Sequence, residues 1–142
     1  MVRNRSSAKK AGASFERLVA DHLASQLDDD RIDRRVKHGA KDRGDIGGVR
    51  TLQGGRVVIE VKNVSRDGLP GWIAEAEVER QNDDALIGVV CHKKHGSAKP
   101  GEQYISMTLD TFIVLLRGEA MPSFVVEQAP EVAYVGGQEV SE

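Results

Sequence analysis

The sequence predicts an α/β fold with a mixed central β-sheet flanked by helices. Apolar runs of strand length recur between glycine-rich turns, and residues 72–82, which lie between two of those runs, have a helical composition. The resulting order is α-β-β-β-α-β, followed by a further strand and helix, which suits helices packed on a mixed sheet. At 142 residues the chain is long enough for one domain, and its 39% hydrophobic and 30% charged residues are those of an ordinary globular protein.

Residues 1–13 read as a flexible basic arm, 14–118 as the folded domain and 119–142 as an acidic C-terminal tail. Ser14 is a candidate N-cap for a helix running through Leu27, closed by Asp28-Asp29-Asp30. A start at Ser6 or Ser7 would draw part of the arm into that helix. Residues 31–38 fit a short strand, and "HGAKDRGD" is a loop by its glycines and charges. Residues 45–51 and 56–63 form a hairpin across Gln53-Gly54-Gly55. "ALIGVVC" at 85–91 is a continuous apolar run, as in a strand buried on both faces. Residues 104–109 fit another strand, and Asp110 is a candidate cap for a helix ending at Arg117, with Gly118 as its C-terminal glycine.

Charge is unevenly distributed behind the net value of -2. Basic residues crowd the first third, whereas after Gly118 every charged side chain is a glutamate. A basic face of this kind suits a polyanionic partner despite the near-neutral total. No apolar run is long enough for a membrane span, and the basic start has no apolar segment behind it to make a secretory signal. The single cysteine, Cys91, excludes an internal disulfide and fits a reducing cytoplasm.

Two placements of charge carry chemistry. Projected on a helix, Phe15, Leu18, Val19, Leu23 and Leu27 share one arc, and Glu16 falls between Leu23 and Leu27 at about 100° from Phe15. Such a carboxylate must be paired, protonated or metal-bound, unless it stands at the helix end and escapes to solvent. On the strand "VVIEVK", alternation puts Val57, Ile59 and Val61 on one face and Val58, Glu60 and Lys62 on the other. Asp45 opens the partner strand across the hairpin and can approach Glu60. Converging carboxylates repel unless a cation offsets them, and hard oxygen donors suit Mg²⁺ or Mn²⁺. Metal, carboxylates and an adjacent lysine form an apparatus for phosphodiester hydrolysis, in which Lys62 orients or deprotonates the nucleophile or neutralises charge on the phosphate.

With Glu16 in "SFERLVADHL", Asp45 in "GDI" and Glu60 with Lys62 in "IEVKN", the chain resembles the PD-(D/E)XK nuclease superfamily, and more narrowly the Holliday-junction resolvases of archaeal and phage type. Gly44 stands where that motif usually has proline, and the resemblance runs from about residue 14 to residue 94. It implies a restriction-endonuclease-like core with 14–118 as nuclease domain. It further implies Mg²⁺-dependent cleavage of DNA, in particular four-way junctions, by a homodimer in the cytoplasm, a host's if the gene is a phage's. Asp45, Glu60 and Glu16 are then the expected metal ligands, with Lys62 completing the catalytic set. Arg3, Arg5, Lys9, Lys10, Lys37, His38, Lys41, Arg43, Lys93 and Lys94 are the expected DNA contacts. Asp42 competes with Asp45 as ligand, but only Asp45 abuts the apolar strand entry at Ile46. Glu75, Glu79 and Gln81 lie on the helix after the motif strand, where related nucleases sometimes keep another site residue, and the sequence singles out none of them. Other readings are an exonuclease or nicking enzyme of the same superfamily, a non-catalytic DNA-binding module, and a protein-interaction domain with surface ion pairs. Zinc binding through Cys91, His92 and His95 lacks a companion pair at the usual spacing. Trp72 is a packing residue or a platform for an exposed base.

Overall fold

The computed structural model describes residues 4–37, 39–122, 132–135 and 138–141, the last two spans by their backbone alone. The first helix, α1 (Arg5–Gln26), begins nine residues before the expected Ser14. Asn4 is its cap, accepting the N–H of Ser7 through its side chain, so residues 5–13 are helical rather than a loose arm. Leu27 closes the helix, and Asp28 takes the left-handed conformation (φ 49°) that turns the chain away.

Five strands follow in a single mixed sheet of order β1-β2-β3-β4-β5: β1 (Asp33–Arg34), β2 (Ile46–Gly47), β3 (Val57–Lys62), β4 (Ile87–His92) and β5 (Tyr104–Ser106). Neighbours are antiparallel except β3 and β4, which run parallel and are joined through α2 (Leu69–Asn82). The expected hairpin is present, with Ile46 opposite Ile59, although β2 is only two residues long and a single bridge, Arg50 to Arg56, continues toward the turn. β1 is likewise shorter than the expected 31–38.

Alternation on β3 sorts the side chains as its sequence requires. Ile59 and Val61 join Ile46, Ile87, Val89 and Cys91 in a core closed by Phe15, Val19 and Ala20 of α1. Val58 and Val90 are buried on the opposite face, which α2 covers through Ala76. Gly88 allows that approach, because a side chain there would stand 2.5 Å from the Ala76 carbonyl oxygen. Helix α3 (Leu109–Arg117) lays Val114 and Leu115 against the core. Its cap is Thr108, whose hydroxyl accepts the N–H of Thr111, rather than Asp110, while Gly118 ends it at φ 77° as its position suggests. Within the acidic C-terminal segment, β6 (Val132–Val135) and β7 (Gln138–Ser141) pair antiparallel. Among the described residues, no helix is long and apolar enough to cross a membrane.

Candidate active site

The loop before β2 is built to fix Asp45. Its N–H donates to the Ile59 carbonyl (2.9 Å), its carbonyl accepts from the Arg35 N–H (2.8 Å), and its carboxylate Oδ2 accepts the N–H of Val61 (2.8 Å). Just upstream, Asp42 Oδ1 accepts the Gly44 N–H (3.0 Å), and the Asn82 amide of α2 donates to the Asp42 carbonyl (2.7 Å). Gly44 lies at φ 94°, where any side chain would meet Val58 Cγ1 at 2.7 Å. Proline, locked near φ −65°, has no place at this position, so glycine here has a backbone reason.

Glu60 and Lys62 project together toward α2, which supplies two further carboxylates. Lys62 Nζ lies 3.2 Å from Glu60 Oε1 and 2.7 Å from Glu75 Oε2. Glu79 is 4% exposed and Glu60 7%, and in each the Oε2 atom is buried without a hydrogen-bond partner. Burial, the charge of Glu60 and the more distant Glu16 push the Asp45 pKa up to about 7, against the opposing Val61 N–H. Burial, followed by the adjacent Glu60 carboxylate, likewise raises Glu79. Burial opposes the charge on Lys62, but Glu75 and Glu60 outweigh it and hold the amine above the ordinary lysine value, so it is an ammonium at neutral pH.

The centre is therefore rich in acceptors and short of positive charge. Protonation of Glu79 relieves part of that excess; a divalent cation is the other remedy, and a set of hard carboxylate oxygens fits it. Glu60, Glu75 and Glu79 each bring one oxygen within 4.8 Å of the others, and Lys62 already occupies the Glu75 side. Asp45 also adjoins Glu60.

The expected trio of Asp45, Glu60 and Glu16 is only partly assembled. Glu16 shares with Asp45 a cleft of about 830 Å³, lined also by Lys9, Arg17, Arg34 and Lys37. Its Oε2, however, accepts two N–H bonds from Arg34 of β1, at 3.1 Å from Nε and 2.9 Å from Nη2. Since α1 begins at Arg5, Glu16 is mid-helix; the option of a helix-end carboxylate free in solvent is thereby ruled out, and a guanidinium partner answers its burial instead.

Basic residues from separated stretches converge beside these acids. Lys37, Lys41 and Arg43 line a cavity of about 260 Å³ with Arg35 and Asp42, and Lys37 Nζ lies 3.2 Å from Asp42 Oδ2. That contact raises the lysine; Asp42 itself is lowered, burial being outweighed by the Gly44 N–H and the Lys37 ammonium. Lys9 enters the larger cleft one helical turn from Gly12 and Ala13, while Arg5 and Lys10 are exposed on the same helix. Arg3 and His38 lie outside the described residues. Lys93 is turned inward, its amine donating to the carbonyls of Lys94 (3.0 Å) and Ser97, and Lys94 is half-buried with its N–H on Gln103. The Lys93 ammonium is thus engaged by its own loop, whereas for Lys94 it is the backbone that is bonded.

No zinc cluster forms among the described residues. Cys91 is buried, with its thiol pushed up to about 11, while His92 bonds Ser106 (2.7 Å) and His95 bonds the Val64 carbonyl (2.9 Å). Trp72 packs against His92, at 5.7 Å between ring centres and tilted by 51°. Sequence reasoning named Glu75 and Glu79 without choosing them and missed Arg34 and Arg35. The available signal for Glu79 was its spacing of three from Ala76, which places it on the inward face of α2. Comparison with protein-family models, curated proteins and solved structures finds no match.

Proposed function

We propose that this chain is a metal-dependent endonuclease of the PD-(D/E)XK type that hydrolyses phosphodiesters in branched DNA, four-way junctions being the favoured substrate. The observation that carries the reading is the attachment of Asp45 to β3 through the Val61 N–H, which sets a second carboxylate beside Glu60 with Lys62 next along the same face. Asp45 and Glu60 would hold Mg²⁺ or Mn²⁺. Bound there, the ion supplies a Lewis acid to a non-bridging phosphate oxygen and an acidified water. Lys62 enters as a cation restrained by Glu75 and Glu60, a state suited to stabilising charge on the phosphate rather than to accepting a proton. Glu16 stands in the adjoining cleft, where its role is to keep Arg34 oriented beside a bound strand. Lys9, Arg17, Lys37, Lys41 and Arg43 surround the acids with the positive charge a phosphate backbone needs.

The test is cleavage of labelled junction, flap, duplex and single-stranded DNA with and without Mg²⁺, by the native chain and by Asp45→Asn. The expected result is metal-dependent cutting of the junction that disappears in the variant while junction binding persists. Cutting confined to strand ends selects an exonuclease of the same type. Failure to cut any of the four substrates, or native activity in Asp45→Asn, overturns the proposal.

A further inference from the structure

Helix α3 has a second face that the core does not use. Val114 and Leu115 pack inward, while Leu109, Phe112, Ile113 and Leu116 point to water. Their spacing of i, i+3, i+4 and i+7 draws one apolar seam along the helix. Leu109 and Leu116 are 73% and 68% exposed, and four of the eleven exposed large hydrophobics among the described residues stand on these nine positions. Scattered apolar side chains on a surface need no explanation, but a continuous seam does.

Charge on the rim of the seam indicates what covers it. Asp110 stands in the first turn of α3 and Arg117 in the last. Seven residues bring them back to nearly the same side of the helix, about 20° apart at about 100° per residue. Both therefore flank the same edge of the seam, with opposite signs at opposite ends. A two-fold axis perpendicular to the helix sets two copies of α3 antiparallel, seam against seam. It then places Asp110 of each copy against Arg117 of the other, at both ends and on the same rim. Arg117 already contacts Glu119 at 3.3 Å, but that pair is exposed and leaves the guanidinium free to take a second carboxylate.

We propose that the α3 seam is a homodimer interface, occupied by α3 of a second copy of this chain in antiparallel orientation. It stands independently of the nuclease chemistry, which it would supply with two sites related by the same axis.

Sedimentation of the 142-residue chain, free of metal and DNA, over a broad concentration range tests it. The native chain should dimerise, and Leu116→Glu should be monomeric with an unchanged circular dichroism spectrum. Asp110→Arg alone and Arg117→Asp alone should each weaken the dimer by about tenfold or more, and the two together should restore it. Asp45→Asn should dimerise like the native chain, so loss of cleavage and loss of the interface are read separately. A native chain that stays monomeric, whether its own C-terminal segment or another protein covers the seam, overturns the proposal. So does a dimer that is indifferent to Leu116→Glu, or single reversals that the double variant does not rescue.

Discussion

Asp45 Oδ2 accepts the backbone N–H of Val61 at 2.8 Å, so the carboxylate is tied to the peptide unit that joins Glu60 to Val61. A loop residue is thereby held in register with a strand, and the two carboxylates adjoin although fifteen positions separate them in the chain. The bond also opposes the upward shift in the Asp45 pKa, which burial and Glu60 nevertheless carry to about 7.

Asp45→Asn keeps an oxygen for the Val61 N–H and removes the charge. The metal-free variant should be more stable than the native protein at pH 8, by on the order of 1 kcal/mol in urea unfolding, because a repelled carboxylate is gone. Destabilisation would show that Asp45 is not under repulsion from Glu60.

The sign of the pH dependence follows from the same shift. The folded protein holds the Asp45 proton more tightly than the unfolded chain, whose value is near 3.8. Stability from this group is therefore greatest below about pH 4, falls as pH rises toward about 7, and is level above it. Mg²⁺ binding should strengthen across the same interval and release protons, as calorimetry in buffers of different ionisation enthalpy would register. The Asp45→Asn variant should lose this portion of the pH dependence.

Glu75 restrains Lys62 from α2 at 2.7 Å. Glu75→Gln should lower kcat severalfold with KM nearly unchanged, and Lys62→Ala should lower kcat by about a hundredfold or more. A rise in KM alone in either variant would make Lys62 a binding residue only.

Arg34 is the sole cation bonded to Glu16 among the described residues. Arg34→Ala should destabilise the protein by about 1–3 kcal/mol, since it leaves a half-buried carboxylate unpaired, and Arg34→Lys should recover part of that. Thermal unfolding of the two variants decides it.

Gly88 lies under α2, with the Ala76 carbonyl oxygen 2.5 Å from where a Cβ would stand. Alanine there gains a little by stiffening the unfolded chain, but pushing α2 off β4 outweighs it. Gly88→Ala should be less stable by about 1–3 kcal/mol, measured by urea unfolding, and should disturb Glu79 and Glu75 with the helix that bears them.

The parts of the fold that were legible in the sequence are those written in local periodicity. The strand containing Glu60 and Lys62 has period two, the helix containing Phe15 and Val19 has period 3.6, and Gly118 sits where a helix must end. From them follow the element order, the hairpin that brings Asp45 to Glu60, and the common face of Glu60 and Lys62. The rest required the tertiary structure. Arg34 lies on a two-residue strand whose pairing is set by neighbours rather than by its own pattern, so its bond to Glu16 left no mark in the sequence. Helix α2 buries only Ala76 and Glu79, too few for an apolar stripe, and its inward glutamate could not be told from Glu75 or Gln81. Periodicity records which way a side chain points along its own element; which charge it meets there depends on contacts between distant segments, and these exist only once the chain has folded.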